Sequence, residues 1–206
     1  MLGSHNILYA LRPVPLEQQL QPLIDSGRIE DAVVMASTAW NESSSVGRLQ
    51  EFYGKAGAAA FAQGQLELAT PMLINSSIDV RELIVLFPDL CPGNLSGENS
   101  FSPSYSLQLS PSAEVSLSRS ALLQVLERKR SAKNAPELRL WIDTALSKLY
   151  IELGRVSELS SLLSLSPAVN SDEISAVAEQ MRAHACRLVL LRASGNYREA
   201  LELLQK

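Results

Sequence analysis

Aromatic side chains make up only 5% of the sequence, so any core it builds must be packed mainly by leucine and alanine. Cysteine is almost missing: Cys91 and Cys186 stand alone and far apart, which fits a reducing compartment and offers no disulfide framework. Histidine is as scarce, with only His5 and His184, and no second thiol or imidazole lies near the His184/Cys186 pair to complete a zinc site. No apolar run approaches the ~20 residues that cross a bilayer. The longest candidate, residues 186–193, is short and carries Arg187 and Arg192. Residues 1–11 lack the basic start and the cleavage site of a secretory signal. A strong excess of one charge is lacking too, since the net charge of −4 is too small to argue for nucleic acid or an anionic membrane as partner.

What the chain does have is enough apolar substance to fold. Hydrophobic residues are 46% and charged residues 19% of 206, which excludes wholesale disorder and allows a full core. A short pattern returns four times. It reads Gly27-Arg28-Ile29-Glu30-Asp31-Ala32, Gly64-Gln65-Leu66-Glu67-Leu68-Ala69, Gly154-Arg155-Val156-Ser157-Glu158-Leu159 and Gly195-Asn196-Tyr197-Arg198-Glu199-Ala200. Glycine adopts the left-handed conformation that ends one helix. The apolar residue two positions on and the Ala or Leu three further on share one face of the next. From Gly27 to Gly64 is 37 residues, from Gly64 to Gly154 is 90, and from Gly154 to Gly195 is 41. The middle interval equals about two repeats plus an insertion, and a period near 35–45 is that of stacked helix pairs. The expected fold is all-α, an α-solenoid of antiparallel helical hairpins; a compact helical bundle is the competitor.

Residues 1–5 read equally as native sequence or as the remnant of a tag. Residues 6–11 alternate weakly through Ile7, Tyr9 and Leu11 and read as a strand or extended arm, stopped by Pro13 and Pro15. A lone strand needs a sheet to join, so residues 1–14 are expected to close a β domain upstream in a longer protein. Residues 15–206 are then the solenoid. Pro15 suits a first helical turn, and Leu16, Leu20, Leu23 and Ile24 form its stripe, with Pro22 placed to kink it. Further helices are expected from about 28 to 40, from 46 to 63 with the small run Ala56-Gly57-Ala58-Ala59-Ala60, and around Ala69, Met72 and Leu73 with Pro71 bending it. Asp79 and Glu82 look like a capping box. From about 88 to 117 the chain is rich in Pro, Ser, Gly and Asn, and reads as a flexible insertion or as an arm lying across the stack. Arg128-Lys129-Arg130 closes the next helix as a solvated basic end, or as a contact for phosphate or an acidic partner. Leu138, Trp141, Ile142, Ala145, Leu146, Leu149 and Leu153 predict the clearest amphipathic helix. Ser171-Asp172 is expected to cap one longer helical segment, apolar all round at 188–191. Tyr197, Ala200, Leu201 and Leu204 are expected to bury a final helix, and the missing cap after it fits a solenoid that continues.

No catalytic set emerges. Asp143 sits in an apolar helix, where pairing with a neighbouring repeat explains it better than acid–base work. Gly54, Gly57 and Gly64 lack the strand–loop–helix setting of a phosphate loop, and no serine sits in a Gly-x-Ser-x-Gly elbow. No catalytic, cofactor-binding or metal-ligating residue is picked out, and the chain does not read as an enzyme.

Three stretches carry a resemblance. They are Leu8-Tyr9-Ala10-Leu11-Arg12-Pro13-Val14-Pro15-Leu16-Glu17-Gln18-Gln19-Leu20, Ile78-Asp79-Val80-Arg81-Glu82-Leu83-Ile84-Val85-Leu86-Phe87-Pro88-Asp89-Leu90 and Ile142-Asp143-Thr144-Ala145-Leu146-Ser147-Lys148-Leu149-Tyr150. In order and spacing they resemble the vacuolar protein sorting 39 / TGF-β receptor-associated protein 1 family over about residues 6–206, and lean toward the TGF-β receptor-associated branch. The serine-rich stretch 94–118 departs from that pattern. The resemblance implies an N-terminal β-propeller followed by a long α-solenoid, of which this would be the first part. It implies a non-catalytic subunit of an endolysosomal tethering complex, CORVET at early endosomes or HOPS at late endosomes and lysosomes. Implied partners are the class C vacuolar sorting core subunits and Rab GTPases, with TGF-β receptors or Smad proteins for a signalling adaptor. Membrane association would be peripheral, no nucleic acid is implied, and no cofactor.

Overall fold

The computed structural model describes residues 14–40, 46–93, 101, 103, 107–111, 113–131, 135–166 and 169–204. The strand or arm expected at 6–11, and residues 1–5, lie outside them. Within the described residues the chain is all-α. Helices run α1 Leu16–Asp25, α2 Ile29–Ala39, α3 Val46–Ala62, α4 Leu66–Asn75, α5 Arg81–Ile84, a 3-10 turn Pro88–Leu90, α6 Val115–Arg130, α7 Pro136–Glu152, α8 Val156–Leu165, α9 Ser171–Gln180, α10 His184–Ala193 and α11 Tyr197–Leu204. Neighbours in the chain are neighbours in space: α1 packs on α2, α2 on α3, α3 on α4, α4 on α6, α6 on α7, α7 on α8 and α9, α8 and α9 on α10, and α10 on α11. This is the expected solenoid of helical hairpins, and one continuous core runs through it from Leu20 to Leu190.

The corners share one geometry. Residues 26–28, 63–65, 153–155, 181–183 and 194–196 each join two helices, and the middle residue has positive φ: Gly27 at 78°, Gly64 at 82°, Gly154 at 65°, Arg182 at 55° and Gly195 at 78°. At each corner the residue after it donates its N–H five positions back, as Arg28 does to Leu23, Gln65 to Ala60, Arg155 to Tyr150, Ala183 to Ala178 and Asn196 to Leu191. This pairing satisfies carbonyls that a helix end leaves open. The Arg182 corner splits the single segment expected from 171 onward into α9 and α10. An arginine there hides the corner from a search keyed on glycine.

Small residues set the closeness of α3 and α4. A Cβ on Gly57 would stand 3.0 Å from Leu73 Cγ and 3.2 Å from Met72 Cβ, so the two backbones approach because Gly57 has no side chain. Elsewhere the expectations need correction. Pro15 precedes α1 as its cap, outside the first turn. Asn170, and not Ser171-Asp172, caps α9, its side chain accepting from the N–H groups of Asp172 and Glu173. At α5 the Asp79 carboxylate accepts from Arg81 N at 3.0 Å and pairs with the Arg81 guanidinium at 2.6 Å. In the 88–117 region only the boundary changes, since α6 already begins at Val115; Leu107 and Leu109 pack on the core and Ser110 N donates to Ala62 O at 2.7 Å, which agrees with the arm of the two readings for those residues. The last helix is not buried: Tyr197, Leu201 and Leu204 are exposed, and with Leu188 and Arg192 they line an open apolar groove. On α10, Leu190 and Leu191 are buried, whereas Leu188 and Val189 are only half-buried.

Candidate functional site

The largest correction concerns α7. Its leucine spacing predicts an amphipathic helix, yet every residue from Trp141 to Ile151 is buried, including Asp143, Thr144, Ser147 and Lys148. Helices α6, α8 and α9, with α5 and the 3-10 turn, surround it. Its polar side chains therefore face protein, and each one with a charge must be matched there.

Three joints do the matching. At the first, Arg130, the last residue of α6, holds Asp143 Oδ1 through Nε at 2.6 Å, and its Nη2 donates to Ser166 Oγ at 3.1 Å. Ser166 Oγ in turn donates to Asp143 Oδ2. Asp143 is 3% exposed at its side chain, and Arg139 adds only a loose contact at 3.8 Å. At the second joint the Lys148 ammonium donates to Asp89 O at 2.9 Å and Cys91 O at 2.7 Å and pairs with Glu173 at 2.7 Å. Glu173 also accepts from Gly93 N at 3.0 Å, so one lysine ties α7, α9 and the segment after the 3-10 turn. At the third, Arg119 of α6 spans Asp89 at 2.8 Å and Glu152 at 2.6 Å, with its guanidinium over the Phe87 ring at 5.5 Å. Nearby, Tyr150 Oη donates to Glu127 Oε1 at 3.0 Å. Burial first, then the Glu127 carboxylate, push the Tyr150 phenol up to about 12.

The residues weighed from sequence fall as follows. Asp143 pairs with a neighbouring helix, as its setting in an apolar helix implied. The basic run 128–130 divides: Arg128 is exposed, Arg130 is built into the first joint, and Lys129 donates to Ser76 O while burial lowers its pKa. His184 opens α10 on the surface, and Cys186 is buried with its thiol pKa raised by desolvation. Lys148 escaped the sequence reading; an amine inside an otherwise apolar helix was the signal available. Phe101 likewise sits edge-to-face on Trp141 at 6.1 Å and under the Arg81 guanidinium at 4.5 Å.

Besides the groove at α11 and a cleft of about 260 Å³ lined in part by Arg130, Tyr150, Ser157 and Ser161, two clefts open near the N-terminal helices. One of about 320 Å³ lies between α1, α2 and α3 over Leu20, Ile24, Trp40 and Phe52, rimmed by Glu17, Arg48, Glu51 and Lys55. The other, about 890 Å³, runs along the Gly27 and Gly64 corners to Leu117. Neither is lined by a Ser, Cys or His. Among the described residues, no group of three or more His, Cys, Asp or Glu is placed to hold a metal ion, and no helix is long and apolar enough to cross a membrane. The arrangement holds helices to one another.

Comparison with known proteins finds relatives. Over 166 aligned residues the chain is 34% identical to the transforming growth factor-beta receptor-associated protein 1 of Mus musculus and to that of Homo sapiens, covering 76% of this chain and 19% of each relative. It is 28% identical over 216 aligned residues to the homolog from Danio rerio, covering 100% of this chain and 25% of the relative. The chain thus spans about a fifth to a quarter of the length of these relatives. No known family profile and no solved structure matches it.

Proposed function

This chain belongs to the family of transforming growth factor-beta receptor-associated protein 1, and from that membership we propose that it is a non-catalytic scaffold segment of a CORVET-like endolysosomal tethering subunit. In this reading it forms the first part of a longer solenoid behind a β-propeller. It supports Rab-dependent tethering and fusion from the cytoplasmic face of early endosomes, attached peripherally. The observation that carries it is the match to these relatives over three quarters of the chain, joined to a fold suited to the work. A stack of hairpins exposes long surfaces and holds its two ends apart. Partners would be the class C vacuolar sorting core subunits and Rab GTPases, met through the full-length protein. Affinity capture of the full-length parent from cells tests it: recovery of the class C core is expected, and recovery of none of its subunits contradicts it. Capture together with late-endosomal components would shift the assignment to a HOPS-type tether.

The relatives' name favours a second reading, an adaptor that binds TGF-β receptors or Smad proteins. The two roles are compatible. Direct binding of residues 6–206 to a purified receptor cytoplasmic domain would support it, and no binding at low salt would remove it from this segment.

A further inference from the structure

We propose that Ser131 is a phosphorylation site for a basophilic serine kinase, and that its phosphate loosens the joint that Arg130 makes with α7 and α8. The inference stands independently of the tethering role. Kinases of this class read a cation three residues before the acceptor. Among all the serines and threonines of the chain, only Ser131 has an Arg or Lys at that spacing, namely Arg128. Arg128 is exposed and no ion pair holds it among the described residues, so it is available to a kinase's acidic subsite. Ser131 is exposed as well, just past the last helical residue of α6, and its hydroxyl makes only a long 3.4 Å bond to Glu127 O. Helix ends open more readily than helix centres, which lets the segment enter an extended binding cleft.

The reaction is ordinary phosphoryl transfer. Ser131 Oγ bonds to the γ-phosphorus of ATP, the bond from that phosphorus to the bridging oxygen breaks, ADP leaves, and the hydroxyl proton passes to the kinase base. The product carries close to two negative charges at the C-terminal end of a helix, where the helix dipole disfavours them. It also follows Arg130 directly in the chain, at a fraying helix end from which a phosphate can reach that guanidinium. That guanidinium is the neighbour that neutralises Asp143, a carboxylate 3% exposed, and it also bonds Ser166, the residue just past the end of α8. A phosphate beside Arg130 competes for it, and a buried carboxylate that loses its cation is strongly destabilising. The exposed pair the phosphate forms with Arg128 returns little. The basic run at 128–130 thus has two parts, one read from outside and one that responds inside.

The test uses the whole chain, ATP and the catalytic subunit of cyclic-AMP-dependent protein kinase. Mass mapping is expected to find one main phosphate, on Ser131, absent from Ser131→Ala, and its rate of addition is expected to fall at least about tenfold in Arg128→Ala. Arg128 is exposed and makes no hydrogen bond or ion pair among the described residues, so that variant is expected to fold as the wild type does. Phosphorylated chain is expected to melt about 3 °C or more below the unmodified chain. Amide exchange is expected to speed up in residues 156–166 ahead of α2 and α3. Phosphate on other serines with Ser131 unmodified overturns the site. Phosphate on Ser131 with unchanged melting and unchanged exchange overturns its coupling to the joint.

Discussion

Arg182 and Gly154 occupy the same kind of corner, and they separate backbone strain from packing. A Cβ on Gly154 meets nothing within 4 Å, so Gly154→Ala changes only the cost of a left-handed φ of 65°. A loss of about 1 kcal/mol is expected in chemical denaturation. Arg182 already bears that strain at φ 55°, with its side chain exposed. Arg182→Gly is therefore expected to stabilise by roughly 0.5 kcal/mol, the relief being partly offset by glycine's freedom in the unfolded chain. A loss of stability in Arg182→Gly would mean that the arginine side chain makes a contact that matters. The charged joints give a second contrast. Arg130→Ala leaves Asp143 buried without its close partner and is expected to cost about 3–5 kcal/mol, whereas Arg139→Ala, at 3.8 Å and half exposed, should cost less than about 1 kcal/mol. Tyr150 supplies a pH signature. Its folded pKa, about 12, lies above its ordinary 10.0, so its contribution is intact below pH 10 and is lost as pH rises through that window. The stability difference between the wild type and Tyr150→Phe should shrink between pH 10 and 12 and stay constant from pH 6 to 9.

At the scale of helices, glycines with the same backbone call for opposite outcomes. Gly47 is the second residue of α3 and no described atom lies where a Cβ would go, so Gly47→Ala is expected to stabilise by roughly 0.3 kcal/mol through helix propensity, less than at a helix centre. Gly57 lies in the same helix, but its Cβ would press on Leu73 and Met72. Leu73 is fully buried and cannot swing away. Gly57→Ala is expected to lose about 1 kcal/mol net and Gly57→Val about 3, read from urea midpoints. The helices themselves were largely legible in the sequence, because apolar spacing and corner glycines are local signals. What was not legible was burial on the second side of α7. The pairing of Asp143 was legible, but Ser147 and Lys148 occupy positions that a polar residue normally takes on a solvated face. Ser147 turns back on Asp143 O within its own helix, Arg130 reaches Asp143 from the preceding helix, and the Asp89 and Cys91 carbonyls that hold Lys148 lie more than fifty residues back. A pattern search sees period, and period cannot distinguish water from a neighbouring helix carrying the opposite charge. The α9–α10 corner was missed for a related reason: strain at Arg182 is a property of the folded backbone and has no residue signature.

Across the whole chain, each hairpin leans on the next, and the three charged joints converge on α7. Such a stack has graded stability, since an end hairpin has one neighbour and a middle helix has several. Among the described residues α11 packs on α10, with Tyr197, Leu201 and Leu204 uncovered. α7 shows the central one, with residues 141–151 buried throughout and Arg130, Arg119 and Lys148 binding helices on three sides. In the proposed scaffold role, a load carried by α6 or α9 would reach α7 through these charge pairs. Hydrogen exchange read by mass spectrometry, peptide by peptide along the native chain, examines this directly. The expected result is slowest exchange in residues 141–151, with protection falling stepwise toward α1 on one side and α11 on the other. Uniform protection along the chain, or a terminal hairpin that outlasts α7, would contradict a stack of helix pairs centred on that helix.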